Sequence, residues 1–244
     1  MASVIKVYNT ANDLFANTAE LIAGLITSLT RLYGRCTLVL SGGSTPDKLY
    51  DLLAENYKSK IEWNKVYIFW GDERCVPPDD KESNYRSAKE HLLDKVNIPP
   101  ENIFRIHAED NPDKATSEYE KNINDFFKGG EARFDIILLG LGTDGHTASL
   151  FPGTEGLNEK HKLAVKNYTE DKKTPRITLT YKAINNAKNI IFLISGEEKK
   201  AIVKKIFINK EKNYPAVKVE PVNGSLFYLL DKNAAGELKI EKNI

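Results

Sequence analysis

The strongest constraint on this chain is an alternation of two kinds of segment. Short β-branched or apolar runs occupy residues 4–8, 37–40, 66–70, 134–139, 189–194 and 226–230. Several are apolar throughout, as strands buried on both faces of a parallel sheet must be. Amphipathic stretches of helical period lie between them, at 11–32, 47–56, 83–95, 114–128 and 197–209. In the first of these, Leu14, Thr18, Leu21, Leu25 and Leu29 fall near one helical face, and Asn12 or Asp13 stands where a helix can start. Strands alternating with helices predict βαβ units and a mostly parallel sheet. Residues 152–175, rich in Gly, Asn, Lys and Thr, show no period. They read as an excursion over the sheet edge or a lid, so residues 1–244 are expected to form one domain.

Charge and cysteine content narrow the function classes. Lys plus Arg is 35 and Asp plus Glu is 34, a net charge of +1. That balance removes the electrostatic case for a nucleic-acid partner or a polybasic membrane binder. No run approaches the roughly 18 apolar residues of a membrane span. Lys6 and Asn9 interrupt the short apolar start, so no signal peptide is expected. Cys36 and Cys75 could form at most one disulfide, which a core of this size does not need. The expectation is a reduced, cytoplasmic protein.

Ligands of open α/β sheets bind beyond the carboxyl ends of the strands. Three loops in those places are unusual. Ser41-Gly42-Gly43-Ser44-Thr45-Pro46 follows residues 37–40. Its glycines allow close backbone approach, Ser44 or Thr45 can cap the next helix, and Pro46 suits a first helical turn. Amides, hydroxyls and a helix N-terminus together make an anion site, most naturally for phosphate. No Gly-Lys-Ser/Thr follows, so it is not a Walker A loop; a plain strand-to-helix turn is the other reading.

The second loop, Gly71-Asp72-Glu73-Arg74-Cys75-Val76-Pro77-Pro78, follows residues 66–70. Its charges can form a solvated ion pair, or Arg74 can meet an anion or oxyanion while Asp72 takes a hydroxyl or a proton. Cys75 fits a buried thiol better than a nucleophile. Ser83 is placed to cap a helix that runs on through Asn84-Tyr85-Arg86.

The third loop, residues 140–147, contains Gly140, Gly142 and Gly145 in the spacing of a dinucleotide fingerprint. It lies past the middle of the chain and no acid-ended strand follows about twenty residues on, so a nicotinamide site is not supported. His146, with Asp144 two residues before it, is the better feature: an imidazole at a strand end can take a proton from water near neutral pH. His91, His107 and His161 sit in helical or polar surroundings. No His-x-x-x-His, Glu-x-x-His or Cys-x-x-Cys spacing predicts a metal site. Arg176 begins a short strand, 176–180, after Pro175. Lys199 lies in the first turn of the helix after Gly196, where a cation opposes the helix dipole unless an anion is near.

In order along the chain, Ser41-Gly42-Gly43-Ser44-Thr45-Pro46, Asp72-Glu73-Arg74-x-Val76-Pro77 with Ser83-Asn84-Tyr85, and Gly140-Leu141-Gly142-x-Asp144-Gly145-His146-Thr147-Ala148-Ser149-Leu150-Phe151-Pro152 resemble the 6-phosphogluconolactonase family. Arg176-Ile177-Thr178 and Gly196-x-x-Lys199 fit its later motifs. The resemblance implies a Rossmann-like α/β fold, a mostly parallel sheet flanked by helices on both faces, shared with the glucosamine-6-phosphate deaminases. Two departures separate this chain from the deaminase branch: Phe151 stands where that branch carries a ring-opening glutamate, and Arg74 where it carries tyrosine.

The resemblance implies hydrolysis of 6-phospho-D-glucono-1,5-lactone by a monomer, with neither metal nor organic cofactor. The implied substrate-binding residues are Gly42, Gly43, Ser44, Thr45, Asp144, Gly145, Arg176 and Lys199. His146 is the implied general base, and Arg74 or neighbouring amides the oxyanion partner. Asp72 is the third catalytic candidate, as orienter of Arg74, hydroxyl ligand or relic of a deaminase acid–base group. The alternatives are an amino-sugar-phosphate deaminase or isomerase, and a sugar-phosphate-binding module without catalysis.

Overall fold

The computed structural model describes residues 3–169 and 172–238. In chain order its main elements are β1 (Val4–Tyr8), α1 (Ala11–Tyr33), β2 (Cys36–Leu40), α2 (Ser44–Tyr57), β3 (Val66–Trp70), β4 (Asp72–Arg74), α3 (Asn84–Ala88), α4 (Pro112–Phe126), β5 (Ile136–Leu139), β6 (Ala164–Thr169), β7 (Lys172–Leu179), β8 (Asn189–Ile194) and β9 (Ser225–Asp231). Six strands pair parallel in the order β1-β9-β8-β5-β2-β3. Every residue of the central β2 and β5 is buried, which is why those runs are apolar without alternation save for Thr37, whose amide and hydroxyl both donate to Asp135 Oδ2. The edge strand β1 is only partly covered. The fold is the Rossmann-like α/β arrangement that the alternation and the motifs predict.

Local chemistry sets the helix boundaries, in places differently from expectation. Helix α1 is started by neither Asn12 nor Asp13 but by Thr10, whose hydroxyl accepts the Asp13 amide while the Asp13 carboxylate accepts the Thr10 amide, both at 3.1 Å. This reciprocal pair satisfies two donors at once. Its core face runs through Leu14, Ala19, Ile22, Ile26 and Leu29, with Leu21 and Leu25 at the half-buried margin. Helix α2 starts at Ser44, three residues before the expected 47. Neither Ser44 nor Thr45 caps it: the cap position is Gly43, at φ +111°, with no side-chain bond. That backbone conformation is one that side-chain-bearing residues avoid, which explains glycine there. Ser83 does cap α3, accepting the Arg86 amide at 3.2 Å. The helices expected over 83–95 and 197–209 both loosen into π turns, at Lys89–Leu93 and Lys204–Ile208.

Residues 152–175 are not a plain excursion. Apart from residues 170 and 171, which lie outside the described residues, they contribute β6 and the start of β7 to a second sheet, antiparallel, in the order β4-β7-β6. The 72–74 segment, expected as loop, is its first strand. The pattern hid β6 because one of its buried positions is Asn167, whose amide donates to the Ser149 carbonyl at 2.8 Å and to Thr154 at 2.9 Å. A hydrogen-bonded polar residue can be buried without leaving an apolar mark in the sequence.

Candidate active site

The strand order reverses between β2 and β5, so the chain leaves their carboxyl ends in opposite directions and opens a crevice. The ends of two strands there are held by tyrosines. Tyr50 of α2 accepts the Ser41 amide at 3.0 Å and donates to the Ser41 carbonyl at 2.7 Å. Tyr119 of α4 does the same to Trp70, at 3.0 and 2.7 Å. Both phenols are buried, so the backbone groups freed where the parallel ladder stops are paired rather than left bare.

A cavity of about 250 Å³ fills the crevice. One wall is Gly42, Gly43, Ser44 and Thr45 at the start of α2, where neither hydroxyl has a hydrogen-bond partner among the described residues. The unpaired amides of a first helical turn face the same place. Lys199 lines the cavity from the turn after β8, with Glu198 Oε1 4.0 Å from its Nζ. One cation, two free hydroxyls and a helix N-terminus suit an anion.

The opposite wall is the loop after β5. Gly145, at φ +81°, makes the turn; its amide donates to the Gly142 carbonyl at 2.9 Å, and Gly142 in turn donates to the His146 carbonyl at 2.9 Å. Thr147 Oγ1 ties the loop to the Gly140 carbonyl at 2.9 Å. His146 Nδ1 meets Asp144 Oδ1 at 2.5 Å, its amide donates to the same oxygen at 3.1 Å, and its ring packs on Phe151 at 4.5 Å between centroids. Burial pushes the Asp144 carboxyl up, but its hydrogen bonds to His146 and the imidazole charge outweigh this and hold it at about 2. In the neutral ring, a carboxylate on Nδ1 fixes the tautomer with its proton there and leaves Nε2 as the acceptor.

Strand β4 supplies the floor. Alternation puts Asp72 and Arg74 on one face and Glu73 on the other. Glu73 accepts the Arg74, Asn84 and Tyr85 amides at 2.7, 2.8 and 2.7 Å and the Ser83 hydroxyl at 3.1 Å, so it pins α3 against β4. Burial pushes its carboxyl up despite those donors. Asp72 accepts from Ser149 Oγ at 2.5 Å and from Asn84 Nδ2 at 3.3 Å. Arg74 donates to the Glu82 carbonyl at 2.6 Å, while its Nε is buried with no partner among the described residues. Directly across the strand pair stands Arg176, whose pKa is lowered first by burial and then by the Arg74 charge.

The structure thus brings Gly42, Gly43, Ser44, Thr45, Asp72, Arg74, His146 and Lys199 to one cavity. Three other candidates stand behind its lining: Asp144 and Gly145 support His146, and Arg176 faces Arg74 and donates to the Thr174 carbonyl at 3.3 Å. Cys75 is unpaired, and burial pushes its thiol up to about 11, which leaves it a thiol rather than a thiolate at neutral pH. Among the described residues, no group of three or more His, Cys, Asp or Glu is arranged to hold a metal ion, and no helix is long and apolar enough to cross a membrane.

The family of glucosamine-6-phosphate isomerases and 6-phosphogluconolactonase matches residues 9–228. The chain belongs to this family. It is 37% identical over 246 residues to a 6-phosphogluconolactonase of a Nostoc species, covering 98% of this chain and 100% of that one. It is 40% identical over 198 residues to the 6-phosphogluconolactonase of Haemophilus influenzae, covering 80% and 84% of the two chains. Among solved structures it resembles the 6-phosphogluconolactonase of Trypanosoma brucei, with a TM-score of 0.85, 29% identity and coverage of 98% and 99%.

In this member of the family, sequence reasoning passed over four contributors to the site. Asn84 and Ser149 lay inside the motifs, but nothing in one dimension shows both reaching Asp72. Ala148 lines the cavity at φ +47°, a conformation unusual for a non-glycine residue. Tyr214 left no signal: a Cβ on Gly145 would come within 2.4 Å of its ring, and the Ala216 amide donates to the Gly145 carbonyl at 3.0 Å. A segment some seventy residues downstream therefore braces the histidine loop.

Proposed function

We propose that this chain hydrolyses 6-phospho-D-glucono-1,5-lactone to 6-phospho-D-gluconate. The observation that carries the reading is the Asp144–His146 pair at 2.5 Å, whose imidazole lines the same cavity as a helix start with two hydroxyls that have no partner among the described residues. The substrate phosphate rests on the Gly42 and Gly43 backbone, the Ser44 and Thr45 hydroxyls and Lys199, and Arg176 adds charge from behind Arg74. Anchoring the phosphate at one wall holds the lactone carbonyl near the other, and such positioning can supply several kcal/mol.

Nε2 of His146 takes a proton from water, whose oxygen attacks the carbonyl carbon. The oxyanion that develops is met by Arg74, whose guanidinium is held in place by Glu82. Collapse breaks the bond from the carbonyl carbon to the ring oxygen, which takes the proton back from the imidazolium. Asp144 stabilises that imidazolium and Gly145 makes its turn. Asp72 accepts a substrate hydroxyl. A δ-lactone is an activated ester, so one general base worth about 10²–10⁴ in rate, with positioning, is enough catalysis. Phe151, packed on the imidazole, carries no proton, which favours the lactonase over a ring-opening deaminase. The reading includes a one-domain monomer in the cytoplasm whose partner is a small sugar-phosphate lactone, with no nucleic acid and no membrane.

The test follows the lactone, generated in place by oxidation of glucose 6-phosphate, with and without protein. Decay well above the spontaneous rate, lost in His146→Ala with affinity for 6-phosphogluconate retained, is the expected result. Acceleration that survives His146→Ala overturns the mechanism. No acceleration overturns the function and leads to an assay of ammonia release from glucosamine 6-phosphate.

A further inference from the structure

Asn84 is 4% exposed, and its side chain reaches both the anion-binding loop and the floor of the cavity. Its amide nitrogen is fully used: Nδ2 donates to the Asp72 carbonyl at 2.9 Å and to Asp72 Oδ1 at 3.3 Å. Both partners are acceptors, so the NH₂ group must face them and the orientation of the amide is decided by chemistry. Oδ1 consequently points away from Asp72. A Cβ on Gly42 would stand 1.8 Å from it, so this oxygen lies over the loop that starts the phosphate site. No donor among the described residues reaches it, and it is not one of the fully buried unpaired atoms, so it opens on the cavity.

An acceptor with no protein donor, fixed between a phosphate site and a carboxylate, is complementary to a donor on the ligand. A ring hydroxyl is such a donor; a phosphate dianion is not. We propose, on the basis of the lactonase reading above, that Asn84 Oδ1 accepts a hydrogen bond from one secondary hydroxyl of the sugar ring. It is then a substrate-contacting specificity residue that distinguishes a polyhydroxylated lactone from its deoxy analogues. Gly42 is required beside it, because any side chain there would occupy the place of the amide oxygen.

The test compares kcat/KM for 6-phosphogluconolactone with that for its 2-deoxy, 3-deoxy and 4-deoxy forms, in the wild type, Asn84→Ala and Asn84→Ser. Wild type should lose roughly 10- to 100-fold on one of the three analogues, the usual effect of leaving a buried acceptor unpaired. In the variants that loss should shrink to less than about threefold, because both substrates then lack the contact. If Asn84 only holds Asp72 in place, the variants lose activity equally on every substrate and the ratio between substrates stays as in the wild type; that result overturns the proposal. So does a wild type indifferent to all three analogues, which needs no variant to fold. A wild type without activity on the parent lactone fails the functional reading itself, and is distinguished by that first measurement.

Discussion

Gly142→Ala tests the role of His146 without touching it. A Cβ at position 142 would stand 2.1 Å from His146 Nδ1, 2.3 Å from Cε1 and 2.6 Å from Asp144 Oδ1. The backbone there is not left-handed, so alanine meets no conformational obstacle and the clash falls on the imidazole and its partner. Non-bonded carbons sit at about 3.5–4.0 Å, so the ring must retreat by more than about 1 Å. That movement breaks the 2.5 Å bond to Asp144 and takes Nε2 off its line to the water. Misplacement on this scale costs about 10² in rate. The wall proposed to hold the phosphate, built on a different strand, is unaffected, so KM should move by less than about threefold. The side chain that yields is 27% exposed, so the melting temperature should drop by no more than a few degrees, about 1 kcal/mol for a chain of this length. The assay is lactone decay at saturating substrate, with a thermal melt alongside. In a His146→Ala background the same Gly142→Ala change should cost almost nothing further, since the ring it displaces is gone. A Gly142→Ala protein with wild-type kcat, or one whose loss adds in full to that of His146→Ala, would refute the reasoning.

Lys199→Ala should raise KM about tenfold and leave kcat within about threefold, as expected when a contact made equally in ground and transition states is removed; abolished turnover with unchanged 6-phosphogluconate binding would remove Lys199 from the phosphate site. Asp144, held at about 2 against an ordinary 3.8, contributes stability that is complete above about pH 4 and fades as pH falls toward 2. The urea midpoint of the wild type should therefore exceed that of Asp144→Asn at pH 5, by a small margin because the carboxylate is half exposed, and the gap should close between pH 4 and pH 2; a gap independent of pH contradicts the ion pair. Gly24 lies exposed inside α1 with open space around it, so Gly24→Ala should stabilise by about 0.5–1 kcal/mol and raise the melting temperature by about 1–4 °C, with unchanged kinetics.

The central sheet was legible because burial on both faces favours apolar residues at nearly every position, and β2, β3, β5 and β8 carry them apart from Thr37 and Asn189. Of the small second sheet only β7 was legible, its second half reading as a strand at 176–180. β4 has three residues, all charged, and β6 buries an asparagine, so neither carries the alternation that marks a half-buried strand. Helix starts were readable to within a few residues, but which neighbouring side chain caps depends on backbone angles: Thr10 rather than Asn12 or Asp13, and Gly43 rather than Ser44 or Thr45.

By itself the sequence determined the chemistry available at the strand ends: glycines where a ligand must approach the backbone, a histidine two residues after an aspartate, and cations near a helix start. Those are local properties, carried by residue type and short spacing. Only the tertiary structure decided which of them share a cavity. Asp144 and Arg176 read like ligand contacts, yet one stands behind His146 and the other across a strand pair from Arg74. Asn84 and Ser149 lay inside the motifs with no role assigned and Tyr214 left no signal, yet the fold brings the first two to Asp72 and the third against Gly145. The physical reason is that distance along the chain and distance in space are unrelated once strands are reordered. Ser149 and Asp72 are separated by 77 residues; the pairing of β4 with β7 sets Asp72 opposite Thr178, and Thr178 Oγ1 accepts the Ser149 amide at 3.2 Å, which brings the two side chains into one hydrogen bond.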